Sequence, residues 1–161
     1  GAGTIGLEML RRDSFDSVLL PLGNGALLTG AGRWIKAHAP EVKVIGVCAE
    51  GADAMAASWR QGNVVVRDAV RTIADGIAVR CPVPEALLDM QGTVDDVLLV
   101  SEAAIEQSMR LVFRTAGLVV EPAAAVGIAA ILEHPSLHKQ RLATVLCGSN
   151  LTREQMARWL C

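Results

Sequence analysis

Apolar positions in this chain fall into two kinds of run that alternate from one end to the other. Residues 18–22 (VLLPL), 42–47 (VKVIGV), 94–100 (VDDVLLV) and 142–147 (LATVLC) are largely continuous apolar, often β-branched stretches. A strand with one face in water would alternate apolar and polar positions, so these read as strands covered on both faces. Between them lie segments with helical spacing and helical punctuation: residues 4–12, 26–38, 52–60 and 84–90. The next helix is capped by Ser101 and closed by Gly117, and another starts at Glu121-Pro122, where proline in the first turn forfeits no hydrogen bond. A last helix carries Thr152 and Gln155 at capping-box spacing. Residues 118–120 read as a short strand or the first residues of the following helix, and residues 63–84 carry only weak patterning. Strands alternating with helices, without internal repeats or low-complexity linkers, predict an α/β fold with an open, mostly parallel twisted sheet flanked by helices.

Composition narrows the class of molecule. At 161 residues the chain is large enough for one α/β domain with a sizeable core, residues 1–161. A net charge of −2 and a pI of about 5.9 argue against nucleic acid or an anionic membrane surface as partner. Hydrophobic content is 52% and mean hydropathy +0.38, yet the longest apolar run, residues 123–132, is too short to span a bilayer. Cys48, Cys81, Cys147 and Cys161 are scattered with no C-x-x-C pair, which predicts reduced thiols and a cytoplasmic setting. The chain opens GAGTIGLEML, without methionine and already inside patterned sequence, so a fragment of a longer protein is expected.

In an open parallel sheet, ligands sit beyond the carboxyl ends of the strands. Three sites qualify: Gly23-Asn24-Gly25-Ala26-Leu27, residues 48–53, and Cys147-Gly148-Ser149-Asn150. The first leads from an apolar strand through a glycine turn into a helix, which places free N–H groups and the positive end of the helix dipole where an anion can approach closely. A tight turn of this kind is also what any α/β unit needs, and Leu28 breaks the G-x-G-x-x-G dinucleotide pattern. A nucleotide-binding domain, with Glu50 as the acidic ribose partner, stays open on these residues. His134 and His138 are four apart but separated by Pro135, which predicts a solvated helix end and no metal pair. His38 reads as surface, and no G-x-S-x-G elbow supports hydrolase chemistry.

The strings TIADGIAV, VVEPAAAVGIAAIL, GNGAL and CGSN, in that company and spacing, make nearly the whole chain resemble the carboxy-terminal half of pyridoxal-phosphate enzymes of the threonine dehydratase and serine racemase kind, with the tryptophan-synthase-β type of fold. The resemblance implies that Gly23, Asn24, Gly25, Ala26 and Leu27 wrap a cofactor phosphate, with Asn24 and Ala26 standing where the family's loop has glycine. Gly76 is implied in lining the cofactor, Glu121 in bordering its ring, and Cys147 in meeting the pyridine nitrogen with a neutral thiol, with Ser149 beside it. No metal is expected, because Cys48 and Ala54 stand where the family places cation ligands. No catalytic residue is expected either: the resemblance puts the Schiff-base lysine in an amino-terminal half, and Lys36, Lys43 and Lys139 are not placed to replace it. The implied function is the cofactor-binding portion of a threonine or serine ammonia-lyase that eliminates a β-hydroxyl, with serine racemase as close neighbour. This chain alone is expected to bind pyridoxal phosphate weakly and to be inactive. The implied partners are a small amino-acid substrate and either a second copy or a complementary amino-terminal half. From another class, the chain reads as a non-catalytic module that binds a phosphate-bearing ligand or serves assembly.

Overall fold

A computed structural model describes residues 1–160 and arranges them as three layers, helices on both faces of one sheet. The elements are α1 (Gly3–Arg12), β1 (Ser17–Pro21), α2 (Ala26–His38), β2 (Lys43–Ala49), α3 (Ala54–Gln61), α4 (Pro84–Met90), β3 (Asp96–Val100), α5 (Glu102–Ala116), α6 (Pro122–Glu133), β4 (Leu142–Thr144) and α7 (Arg153–Leu160). Every strand pair is parallel and the spatial order is β3-β2-β1-β4. The expected α/β sheet is therefore present, and its continuous apolar runs have the anticipated cause. Val18, Leu20 and Leu22 pack with Leu28, Ala31 and Ile35 on the α2 side, while Leu19 packs with the α6 alanines on the other. All five residues of β1 are buried, and each large apolar side chain so covered contributes about 1.5–3 kcal/mol.

The order of strands decides where a ligand can sit. The chain steps from β1 outward through β2 to β3, then α5 and α6 carry it back across the sheet to β4 on the far side of β1. Between β1 and β4 the direction of winding reverses, and the loops leaving their carboxyl ends diverge to leave a crevice.

Element bounds differ from the pattern-based ones where tertiary contacts intervene. β4 stops at Thr144 instead of Cys147: pairing with β1 ends at Leu19↔Thr144, after which the chain peels away and the Glu121 N–H donates to the Gly148 carbonyl at 3.0 Å. β2 runs on to Ala49, paired with Val100. β3 starts at Asp96, because Val94 is still hydrogen-bonded to Met90 at the end of α4. Helix α3 starts at Ala54 because residues 50–52 make a separate 3-10 turn. Residues 118–120 form neither strand nor helix. His134 is half-buried instead of solvated, its Nε2 3.0 Å from the Leu99 carbonyl, and His38 is exposed and stacked on Trp34.

Candidate functional site

Around the β1/β4 crevice lies a cavity of about 240 Å³. Its walls are Pro21 at the end of β1, the turn Gly23-Asn24-Gly25-Ala26-Leu27, Gly76 and Ile77, Glu121 and Ala123 at the start of α6, and Cys147 beyond β4. Residues up to 126 positions apart in the chain thus meet (21 against 147) because three loops converge on one switch point.

The glycine turn is shaped for close approach. Gly25 has φ +83°, the left-handed conformation that side-chain-bearing residues adopt at a cost of about 1–2 kcal/mol. It is the N-cap of α2 and supplies no side-chain hydrogen bond, and the Thr29 N–H is the one that returns to the Gly25 carbonyl, at 2.8 Å. The N–H groups of Ala26, Leu27 and Leu28 precede that first bond and have no side-chain cap. Helix α6 likewise starts without a side-chain cap, so two helix N-termini border the cavity. Asn24, where the family's loop carries glycine, is held by its side chain: Oδ1 accepts the Val83 N–H at 3.2 Å and ties the turn to the segment before α4.

Another part of the wall is built by Glu121. Its carboxylate lies so close to Gly148 that a Cβ there would collide with it, and a Cβ on Gly76 would come within 3.7 Å of its Oε1. Beside it Cys147 is exposed on the cavity wall. Local burial of its sulfur pushes the thiol pKa up, and the Glu121 charge pushes it the same way. At neutral pH Cys147 is therefore a protonated, neutral thiol.

Eight of the nine sequence-predicted residues line this cavity: Gly23, Asn24, Gly25, Ala26, Leu27, Gly76, Glu121 and Cys147. Ser149 does not; it is exposed and lines an adjoining groove with Leu118, Val120 and Leu146. Sequence reasoning missed Pro21, Ile77 and Ala123. The signal was present, since Ile77 lies within TIADGIAV, Ala123 within VVEPAAAVGIAAIL and Pro21 within the apolar run before the glycine turn, but which of these residues face inward depends on the turn geometry.

The remaining candidates lie elsewhere. Cys48 is buried within β2 with its Sγ 3.4 Å from the Leu22 carbonyl, and burial pushes its pKa up to about 12. Asp53 is engaged by Arg67 in a two-point pair, Nε to Oδ1 at 2.8 Å and Nη2 to Oδ2 at 2.6 Å. That hydrogen-bonded guanidinium holds the Asp53 carboxyl below its ordinary range. Lys36 pairs with Asp95 at 2.7 Å, Lys43 opens β2 at its amino end, and no lysine among the described residues lines the cavity.

The pyridoxal-phosphate dependent enzyme family matches residues 1–148. The chain belongs to that family. It is 37% identical to the L-threonine ammonia-lyase of Thermotoga maritima over 94% of this chain and 38% of that protein. Among solved structures, the processed form of threonine deaminase isoform 2 from Solanum lycopersicum superposes with a TM-score of 0.92 at 29% identity, over 98% of this chain and 45% of that one. Maize serine racemase superposes at 0.89 and 26% identity, over 98% and 50%. The chain therefore spans half or less of the length of each of these relatives.

Pyridoxal phosphate is the family's cofactor, and the residues present fit it. The uncapped α2 terminus behind a glycine turn suits a phosphate, and the cavity has room for a single substituted ring. The Cys147 thiol offers a neutral polar group on the wall of the same cavity.

Proposed function

We propose that this chain is the cofactor-binding portion of a pyridoxal-phosphate-dependent threonine or serine ammonia-lyase, which converts a β-hydroxy amino acid to a 2-oxo acid and ammonia. The observation that carries the reading is the convergence of the Gly23–Leu27 turn, Gly76, Glu121 and Cys147 on one cavity in a chain of this family. Bound pyridoxal phosphate supplies an electron sink that stabilises negative charge at the amino acid's α-carbon. The chain's own residues bind and orient it. N–H groups at the start of α2 would hold the phosphate, and Gly76 and Ala123, close to each other, would limit the space left for the ring. Cys147, protonated, places a neutral group where an aspartate would place a charge. Glu121 faces the same space and raises the thiol's pKa, which keeps the wall neutral at Cys147.

The lysine needed to carry the cofactor and move protons comes, in this proposal, from outside residues 1–161. A small amino acid is the substrate, and the setting is the cytoplasm. The part of the enzyme that supplies the lysine, or a second copy of this chain, covers β4. Strand β3, the other edge of the sheet, has two backbone carbonyls already engaged, Val97 by Arg60 at 2.8 Å and Leu99 by His134 at 3.0 Å. Strand β4 has no side-chain hydrogen bond to its backbone among the described residues, and it borders an apolar groove with Met9 and Phe15.

Serine racemisation is a second reading, favoured by the likeness to maize serine racemase. Product analysis separates the two. The complete protein, loaded with pyridoxal phosphate and given L-threonine or L-serine, is expected to release ammonia; appearance of D-serine without ammonia would favour the racemase. The chain of residues 1–161 alone is expected to hold the cofactor weakly and to release none, and ammonia release by it would overturn the assignment of the lysine.

A further inference from the structure

We propose that Glu102, which does not touch the cavity, is a positioning residue for the cofactor-lining turn Asp75–Ile77; the inference rests on the pyridoxal-phosphate reading above. Glu102 is the first residue of α5. Its Oε2 accepts the Ile73 N–H at 2.7 Å. Its other oxygen, Oε1, is buried with no hydrogen-bond partner among the described residues.

The segment it grips is also held by the Arg71 N–H on the Gly51 carbonyl at 2.8 Å, by burial of Ala74 and Ile77 in the core, and by its own bonds. The Ala74 N–H donates to Thr72 Oγ1 at 3.0 Å, Asp75 N–H to the Ile73 carbonyl at 3.0 Å, Gly76 N–H to Asp75 Oδ1 at 2.8 Å and Ile77 N–H to the Ala74 carbonyl at 3.1 Å. The core burial of Ala74 and Ile77 seats the turn against α6, and Glu102 adds a polar anchor at Ile73, three residues before Gly76, where the slot is tight: a Cβ on Gly76 would stand 3.1 Å from Ala123. A displacement at Ile73 is passed through this stiff segment to the slot wall.

A buried carboxylate oxygen without a donor costs free energy. The positive end of α5 offsets part of that cost. A side chain kept only for stability gains nothing from the orphaned oxygen, whereas one kept for the reach of its other oxygen tolerates it.

Two substitutions in the complete protein separate reach from charge. Glu102→Asp keeps the negative charge at the start of α5 but withdraws the carboxylate from Ile73. Glu102→Gln keeps the reach and loses the charge. Each is titrated with pyridoxal phosphate, followed by cofactor absorbance, while thermal melting of the cofactor-free protein is recorded. The Asp variant is expected to melt lower, because the Ile73 N–H loses its acceptor in the cofactor-free protein too, and, titrated well below both melting temperatures, to bind about tenfold more weakly or worse, with faster hydrogen exchange at the Ile73 amide. The Gln variant, whose neutral acceptor keeps about half of such a bond, is expected to bind within about fivefold of the unaltered protein. Unchanged affinity in both variants overturns the proposal, and so does an equal loss in both, which would assign the effect to charge. Should the Asp variant not fold, a tenfold loss in the Gln variant overturns it by itself. If the unaltered protein binds no pyridoxal phosphate, the functional reading falls first, and this inference with it, before any variant is compared.

Discussion

Three thiols show how far a residue's chemistry depends on its surroundings. Cys81 is exposed, Cys147 stands on the cavity wall beside Glu121, and Cys48 is enclosed in β2. A thiolate is the species that alkylating reagents attack, so a raised pKa slows the reaction at any pH below it. At pH 8, iodoacetamide is expected to label Cys81 first, Cys147 more slowly, and Cys48, with its pKa at about 12, only after unfolding. Because Glu121 contributes to raising the Cys147 pKa, Glu121→Gln should speed labelling there and leave Cys81 unchanged. Peptide mass spectrometry over a time course reads all three sites; Cys147 reacting as fast as Cys81 would contradict the geometry. The position of Cys147 after the last strand was legible in the sequence. Its neighbour Glu121, 26 residues earlier (121 against 147), was not shown by spacing to touch it, because the contact exists only where the end of β4 peels toward α6.

Helix starts were the most legible elements, since a cap is a local chemical event. Ser101 accepts the Ala104 N–H at 3.1 Å, as an N-cap serine should. The structure adds a second duty, invisible along the chain: its N–H and hydroxyl both donate to the Glu133 carboxylate, at 2.8 and 2.6 Å, and so tie the start of α5 to the end of α6. Ser101→Ala should cost roughly 1–2 kcal/mol, read as a lower denaturant midpoint with unchanged slope. A loss below a few tenths of that would mean that neither the cap nor the hydroxyl's bond to Glu133 contributes, the Ser101 N–H bond to Glu133 being kept by alanine. Strand ends were less legible, because a strand stops where its partner stops. Residues 145–147 are as apolar as a strand requires, and β1 runs on past Leu19 to Pro21, but the chain leaves β1 after Thr144 and turns toward α6, where the Gly148 carbonyl accepts the Glu121 N–H.

For the molecule as a whole, the sheet has two unlike edges, β3 with carbonyls engaged by Arg60 and His134, and β4 beside an apolar groove. The chain alone is expected to associate, with light scattering showing mass that rises with concentration; a monodisperse monomer across the range would argue that β4 needs no cover. By itself the sequence determined the layer architecture, because short, β-branched apolar runs bounded by turn signals suit strands buried on both faces, while the small-residue run 123–132 behind Pro122 suits a buried helix. It also determined the glycine turn and the helix caps, which are local in φ/ψ and hydrogen bonding. Through its motifs it carried the family and most of the cavity's residues. Only the tertiary structure decided that β4 returns beside β1, and with it the cavity at their ends, the exclusion of Ser149 from its lining, the presence of Glu121 and Cys147 on one wall and the grip of Glu102 on Ile73. These depend on contacts between residues far apart in the chain, whose energies are settled by packing across the sheet and not by any pattern along it.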